Sequence, residues 1–331
     1  MSKSDPLSLA AKVLHEPKLA TGGFSGETFS GTWFRERAFV RLYLASPGQA
    51  TLDLAIMRRL SGVVPLPKIL AAEPRGVGAL PPHIVTAGVD GKRADHLLDR
   101  GLPLPASNAL GRQCARLVTR LRAVRCDGHG PFVDADLRVG QWPAYQADLV
   151  AWYSHLEAGL AAGGLGRRST PGLRAAVDAA AQRLAMGPTR PASLVHGDLN
   201  GKNLIVDPNT GRLRAVLDWE FAHAGEWTED VGNLLRAGDQ GAGSGDVGAA
   251  SWSAFRRGLV DALHTGIYED GTMTSAGLGG LDDDWLQRAA DLDMFSLLEL
   301  GARPERGASA PAPITVARTA LRGLAAVRGR R

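Results

Sequence analysis

Apolar and polar positions along this chain change rhythm once, near residue 90. In the first part the segments Glu27–Trp33 and Ala38–Leu44 alternate and are rich in Phe, Tyr, Val and Thr. That pattern predicts two β-strands with a glycine-rich turn before them and a charged turn between them. Pro47 opens a predicted helix through Leu60, with Leu52, Ile56 and Leu60 recurring on one face. Pro65, Pro67, Pro74, Pro81 and Pro82 punctuate the next stretch, and His83–Val89 reads as a further strand. Beyond Gly91 the period becomes helical, with predicted helices at Asn108–Arg125, Trp142–Ala162 and Pro171–Met186. Short strands at Ala192–Val195 and Leu204–Val206 flank a polar loop, and Ala215–Leu217 makes a third. Helices are predicted again at Thr228–Arg236, Ser251–His264, Leu281–Leu300 and Ile314–Val327, with Gly-rich loops at 238–248 and 272–280. The sum is an α+β chain in two lobes: residues 1–90, small and β-rich with one helix, and residues 91–331, larger and mainly helical.

Composition narrows the class. The chain has 331 residues, 44% of them hydrophobic and 22% charged, enough for a sizeable core and too apolar for a disordered chain. Its two cysteines, Cys114 and Cys126, supply neither a disulfide framework nor a four-ligand zinc site, and they fit a reducing compartment. The first twenty residues carry charges throughout, and no run approaches the roughly 20 apolar residues of a membrane span, so a cytoplasmic protein is expected.

The net charge of +4 hides an asymmetry. Residues 1–219 hold 27 Lys and Arg against 18 Asp and Glu, whereas residues 220–299 hold 4 against 15. No basic module with interleaved aromatics accompanies the excess, which argues against nucleic acid as a partner. Either the first stretch favours an anionic ligand and the second a cationic one, or the charges solvate surface helices.

One segment concentrates the chemistry: LVHGDLNGKNLIVDPNTGRLRAVLDWEFA, residues 194–222. It reads strand, polar loop, strand, turn, strand. Asp198, Asn203 and Asp218 therefore fall at the ends of adjacent short strands. Asn203 and Asp218 offer hard oxygen ligands for Mg²⁺, which keeps few protein ligands and binds phosphates beside them. Asp198 is placed to accept or orient the proton of an acceptor hydroxyl. The combination suits phosphoryl transfer.

His196, Asp198, Asn203 and Asp218 resemble the HxDxxxxN catalytic loop and metal-binding aspartate of the protein-kinase-like superfamily. The wording HGDLNGKN and LDWEFA resembles the aminoglycoside phosphotransferase and choline-kinase-like branch. That resemblance implies a two-lobed protein-kinase-like fold and transfer of the γ-phosphoryl of ATP or GTP, with Mg²⁺, to a hydroxyl of a small molecule. It implies that Gly22, Gly23, Phe24, Ser25 and Gly26 cover the nucleotide and that Arg41 anchors its phosphates, with Arg35 and Arg37 as neighbouring competitors. It pairs Arg41 with Asp53 on the first long helix, lets the backbone at Ala87 and Val89 bond adenine, and makes His196 and Asp230 supports of the catalytic loop. Lys202 either approaches a phosphate or is a solvated loop lysine. His223 is expected to pack or cap, and Trp219 to lie beneath the metal site.

No Ala-Pro-Glu segment or long activation loop follows Asp218, so a protein substrate is not expected. The acceptor cleft is expected between helices near 140–165 and 251–300. Three functions compete: a kinase of an aminoglycoside or another hydroxylated antibiotic or natural product, a metabolic kinase of an amino alcohol, sugar or amino acid, and a silent nucleotide-binding module. The acidic stretch sharpens the first. Glu226, Glu229, Asp291 and Asp293 are candidates for binding the ammonium groups of a cationic acceptor. Asp282, Asp283 and Asp284 either join them or cap the helix before Trp285.

Overall fold

The computed structural model describes residues 5–20, 28–162, 170–187, 190–236, 246–266, 284–304 and 312–328. The expected glycine-rich segment Gly22–Gly26, the loop 272–280, and Asp282 and Asp283 lie outside those residues.

Helix α1 (Pro6–Ala10), capped by Asp5, leads into β1 (His15–Leu19), β2 (Thr28–Trp33) and β3 (Glu36–Leu42). Helix α2 (Gln49–Leu60) then crosses to β4 (Ile69–Glu73) and β5 (His83–Ala87). The five strands form one antiparallel sheet in the order β1-β2-β3-β5-β4. Its two faces follow from the period of two. Ala38, Val40 and Leu42 point into an apolar cluster with Leu14, Phe29 and Val85. Phe39 and Arg41 therefore point the other way, opposite Thr86 and Ile84 in the β3–β5 register, and all four line one cavity.

The chain continues through β6 (Lys92–Arg93), α3 (Ala94–Asp99), α4 (Leu104–Arg122), β7 (Gly130–Pro131), α5 (Leu149–Leu160) and α6 (Thr170–Met186). Three short strands come next, β8 (Ser193–Val195), β9 (Leu204–Val206) and β10 (Leu213–Val216), then β11 (His223–Gly225) and the helices α7 (Trp227–Arg236), α8 (Asp246–Thr265), α9 (Trp285–Ala302) and α10 (Ala312–Arg328). The main core joins Leu60 of α2 to Leu110, Leu117 and Leu121 of α4, Trp252 and Phe255 of α8, and Trp285 of α9. A second core packs Tyr153 and Leu160 of α5 against Leu173 and Val177 of α6, Leu298 of α9 and Leu321 of α10. Among the described residues no helix is long and apolar enough to cross a membrane.

The element boundaries differ from expectation where local chemistry overrides periodicity. The predicted helix Trp142–Ala162 starts only at Leu149, after Pro143 and a one-turn helix at Ala144–Gln146, with Asp148 capping it through Ala151 N–H at 2.8 Å. Helix α4 begins at Leu104 rather than Asn108, because Pro105 is well placed in a first turn. Strand β1, HEPKL, was not expected. It is exposed nearly throughout and carries Pro17, as an edge strand can.

Candidate active site

Two short sheets, β10-β9-β6 and β7-β11-β8, build the site. β8 runs into the loop His196–Asn203, and β9 returns from it. The β9–β10 hairpin pairs Leu204 with Val216, which sets Asn203, just before one strand, beside Leu217 and Asp218, just after the other. Leu217 N–H donates to Asn203 O at 2.8 Å. Asp218 adopts a left-handed backbone, φ 64° and ψ 64°, a conformation Asp tolerates better than most residues. Gly197 has φ 75°, and a Cβ there would lie 2.5 Å from Phe221 O, so this loop position requires glycine.

The loop is held from below. Asp230 of α7 is 1% exposed and accepts the N–H of His196 at 2.9 Å and of Gly197 at 3.0 Å. Burial pushes its carboxyl up to about 7 against those two bonds. His196 is fully buried, which lowers its pKa, and its ring lies 4.5 Å from that of Trp219. Asp198 N–H donates to His196 Nδ1 at 3.3 Å, so Nε2 carries the proton and donates to Leu217 O at 2.8 Å. Asp198 itself accepts Asn200 Nδ2 on Oδ1 at 2.7 Å. On Oδ2 it accepts Asn203 Nδ2 at 3.1 Å and Lys202 Nζ at 2.8 Å.

Above the loop lies a cavity of about 360 Å³ between the five-stranded sheet and the β9–β10 hairpin. Its lining combines apolar residues, among them Phe39, Ile84, Val89, Ile205 and Val216, with Arg41, Lys202, Asn203 and Asp218. Of the three neighbouring arginines Arg41 faces the cavity. Arg35 lies in the exposed turn after β2, and Arg37 Nη2 donates to Val89 O at 2.6 Å. The Ala87 N–H donates to Lys68 O at 2.8 Å.

Arg41 does not form the expected pair with Asp53. Its Nη1 donates to Asp218 Oδ1 at 2.8 Å and its Nη2 to Glu220 Oε2. Burial works against the guanidinium charge, but the carboxylates of Glu220 and then Asp218 outweigh it and raise the pKa. Asp53, 4% exposed, is engaged by Tyr43 Oη at 2.6 Å and Gln49 Nε2 at 2.7 Å, and burial raises its pKa despite both bonds. Tyr43 stands between the two, its ring 5.3 Å from the Arg41 guanidinium and its hydroxyl on Asp53. Glu220, Tyr43 and Gln49 are functional neighbours that the motif did not reveal. The readable signal was spacing: Arg41 and Tyr43 share a strand face, Gln49 and Asp53 a helix face, and Glu220 stands two residues after Asp218.

Glu226, Glu229, Asp291 and Asp293 are each met by a basic side chain. Asp291 and Asp293 are 2% and 4% exposed and do not line the cavity above the loop. Asp291 takes a two-pronged bond from Arg183 at 2.8 and 2.6 Å, and Asp293 takes Arg236 Nε at 2.9 Å, so both tie helices together. Glu226 accepts Arg288 Nε at 2.6 Å, and Glu229 holds His223 Nε2 at 3.1 Å. Burial would lower the His223 pKa, but Glu229 raises it to about 9. Asp284 sits at the start of α9 without a side-chain capping bond, 3.4 Å from Arg190.

The chemistry of the donor set fits a nucleotide with its metal. Among the described residues no group of three or more His, Cys, Asp or Glu could hold a metal alone. Asn203 and Asp218 offer two hard oxygens, the number suited to Mg²⁺ that keeps phosphates and waters as its other ligands. Arg41 Nε is buried and has no hydrogen-bond partner, an orphaned donor in a residue that lines the cavity.

An antiparallel sheet over a helical part, with a carboxylate-bearing loop that leads from β8 into the β9–β10 hairpin, is the arrangement of the kinase-like phosphotransferases. Within that class the chain belongs to the phosphotransferase enzyme family APH, whose model matches residues 17–271. The structure is similar to that of a thermostable mutant of aminoglycoside phosphotransferase APH(4)-Ia, solved as a ternary complex with ADP and hygromycin B. The two share 17% identity over 99% of this chain and 98% of that one, with a TM-score of 0.63. A candidate aminoglycoside phosphotransferase from Ralstonia eutropha JMP134 shares 18% identity over 98% and 96% of the two chains, with a TM-score of 0.60. APH(2")-IIia, in its GDP and kanamycin complex, shares 16% identity over 87% and 84%, with a TM-score of 0.55. No curated relative matches the chain in sequence.

Proposed function

We propose that this enzyme moves the γ-phosphoryl of ATP or GTP to a hydroxyl of an aminoglycoside or another hydroxylated natural product. In this reading residues 1–90 form the nucleotide-binding lobe and residues 91–331 the catalytic lobe. The observation that carries the reading is the cavity that joins apolar walls to Arg41, Lys202, Asn203 and Asp218, two of which, Lys202 and Asn203, bond Asp198. A base fits against the apolar walls. There the Ala87 carbonyl and the Val89 N–H would meet it, because Arg37 and Lys68 engage the other two groups of that pair.

Asn203 and Asp218 would hold Mg²⁺, which when bound offsets the charge of the phosphates. Arg41 would bond the phosphates through its unpartnered Nε–H. Asp198 would accept a hydrogen bond from the acceptor hydroxyl and aim its oxygen at the γ-phosphorus. It would take the proton late, because phosphoryl transfer is loose and asks mainly for positioning and charge. Neutral His196, its Nε2–H held by Leu217 O, keeps the loop in shape and would exchange no proton with the acceptor. The choice of acceptor rests on the family and on the aminoglycoside complexes of its structural neighbours.

The test is a kinase assay with ATP and GTP across aminoglycosides, other hydroxylated antibiotics, amino alcohols and sugars. Turnover should be strongest on a hydroxylated antibiotic and fall at least about 100-fold in Asp198→Ala. Turnover confined to an amino alcohol or a sugar would make this a metabolic kinase. Nucleotide-dependent thermal stabilisation without turnover on any acceptor would make it a silent binding module.

A further inference from the structure

The side chain that faces the Arg41 guanidinium from the helical part of the chain is not one the motif assigns. Arg41 lies on β3, yet both of its terminal nitrogens are taken by carboxylates that follow β10: Nη1 by Asp218 at 2.8 Å and Nη2 by Glu220. Its side chain is 17% exposed and that of Glu220 26%, so the contact is largely shielded from water. The guanidinium lies 5.3 Å from the ring centre of Tyr43, whose hydroxyl holds Asp53 away from it. Gln49 Nε2 reaches both Asp53 Oδ1, at 2.7 Å, and the Glu220 carbonyl, at 3.3 Å, which ties α2 to the one-turn helix Trp219–Phe221.

We infer that Glu220, rather than the helix carboxylate Asp53, is the residue that positions Arg41 for the nucleotide's phosphates. The inference rests on the nucleotide reading of the cavity. Asp218 holds Arg41 through Oδ1 alone, and a metal held by the same carboxylate would compete with Arg41 for its charge. A second carboxylate, free of that demand, would keep the guanidinium in place when the phosphates arrive. Glu220 supplies that anchor: it keeps Nη2, while the buried and unpartnered Nε–H is left to donate to a phosphate oxygen. The clasp also explains how Asp53 tolerates burial without an arginine partner, since Tyr43 and Gln49 satisfy it.

The test is the affinity for ADP measured by calorimetry in EDTA and again with Mg²⁺, for the wild type, Glu220→Gln, Arg41→Gln and the double variant. Kinetics for ATP and for the best acceptor are measured alongside. Glu220→Gln should weaken ADP about tenfold even in EDTA and raise the ATP KM about tenfold, leaving the acceptor KM unchanged. The double variant should be no weaker than Arg41→Gln alone, because Glu220 acts only through Arg41. Glu220→Asp, which keeps the charge and shortens the reach, should fall between wild type and Glu220→Gln. If Glu220→Gln leaves ADP affinity in EDTA intact and raises only the Mg²⁺ needed, Glu220 is a metal ligand and the inference is overturned. Additive losses in the double variant overturn it as well. A wild type that fails to bind ADP at all would instead remove the nucleotide reading on which both rest.

Discussion

Asp230 accepts two consecutive backbone N–H groups, those of His196 at 2.9 Å and Gly197 at 3.0 Å, and so fixes the start of the catalytic loop to α7. The His196 donor is fully buried and the accepting Asp230 is 1% exposed. Asp230→Ala leaves the two donors unpaired, at a cost of about 3 kcal/mol. Urea unfolding should show that loss, and turnover should fall more than ATP affinity, because Asp198 hangs from this loop while Phe39, Ile84 and Val89 of the cavity wall do not. Asp230→Asn keeps one accepting oxygen and should lie between the two.

The His223–Glu229 pair makes stability depend on pH in a definite direction. His223 has a folded-state pKa of about 9 against an ordinary value of 6.5, chiefly because Glu229 faces it across 3.1 Å, with burial opposing. A histidine whose pKa is raised by folding contributes fully below its unfolded value and loses that contribution as pH climbs through its folded value. Wild-type unfolding free energy should therefore fall between pH 6.5 and 9.5 by up to roughly 3 kcal/mol. Glu229→Gln should flatten that slope, and a slope unchanged in the variant would assign it to other groups.

Two glycines set how closely α4 and α8 approach. A Cβ at Gly258 would fall 2.0 Å from Asn108 O, and one at Gly111 2.0 Å from Phe255 O. Alanine gains about 1 kcal/mol in helix propensity, but here the backbone of the opposite helix has to move. Gly258→Ala should lose about 3 kcal/mol in urea unfolding. Gly48→Ala, at an ordinary helical φ of −64° with nothing within 4 Å, should change stability by less than about 1 kcal/mol.

These packing details show what the sequence made legible and what it did not. That His196, Asp198, Asn203 and Asp218 come together was legible because they occupy 23 positions joined by one hairpin. The direction of Arg41 was readable too, since alternation along β3 sets its face. Its partner was not, because Asp53 and Glu220 lie 167 positions apart and only the folded chain decides which of them reaches the guanidinium. Charge counting reads the acidic excess after Glu220 as one field, whereas Arg183, Arg236 and Arg288 of three helices and Arg190 of the loop before β8 meet carboxylates of that stretch. Linear composition does not record such pairings.

Asp293 separates those two views of the acidic stretch by experiment. Its carboxylate and the Arg236 guanidinium are 6% and 10% exposed, and they join α9 to α7, the helix that carries Asp230. Removing one member of a buried pair leaves the other charge without compensation, which costs about 3–5 kcal/mol. Asp293→Asn should therefore lower the urea midpoint clearly. Measured well below its melting temperature, the variant should keep the acceptor KM within about twofold of wild type, because Asp293 faces a helix rather than the cavity. The wild-type acceptor KM should likewise owe nothing to Asp291, whose two oxygens are held by Arg183 at 2.8 and 2.6 Å. A tenfold rise in acceptor KM with the urea midpoint unmoved would put Asp293 back in the acceptor cleft.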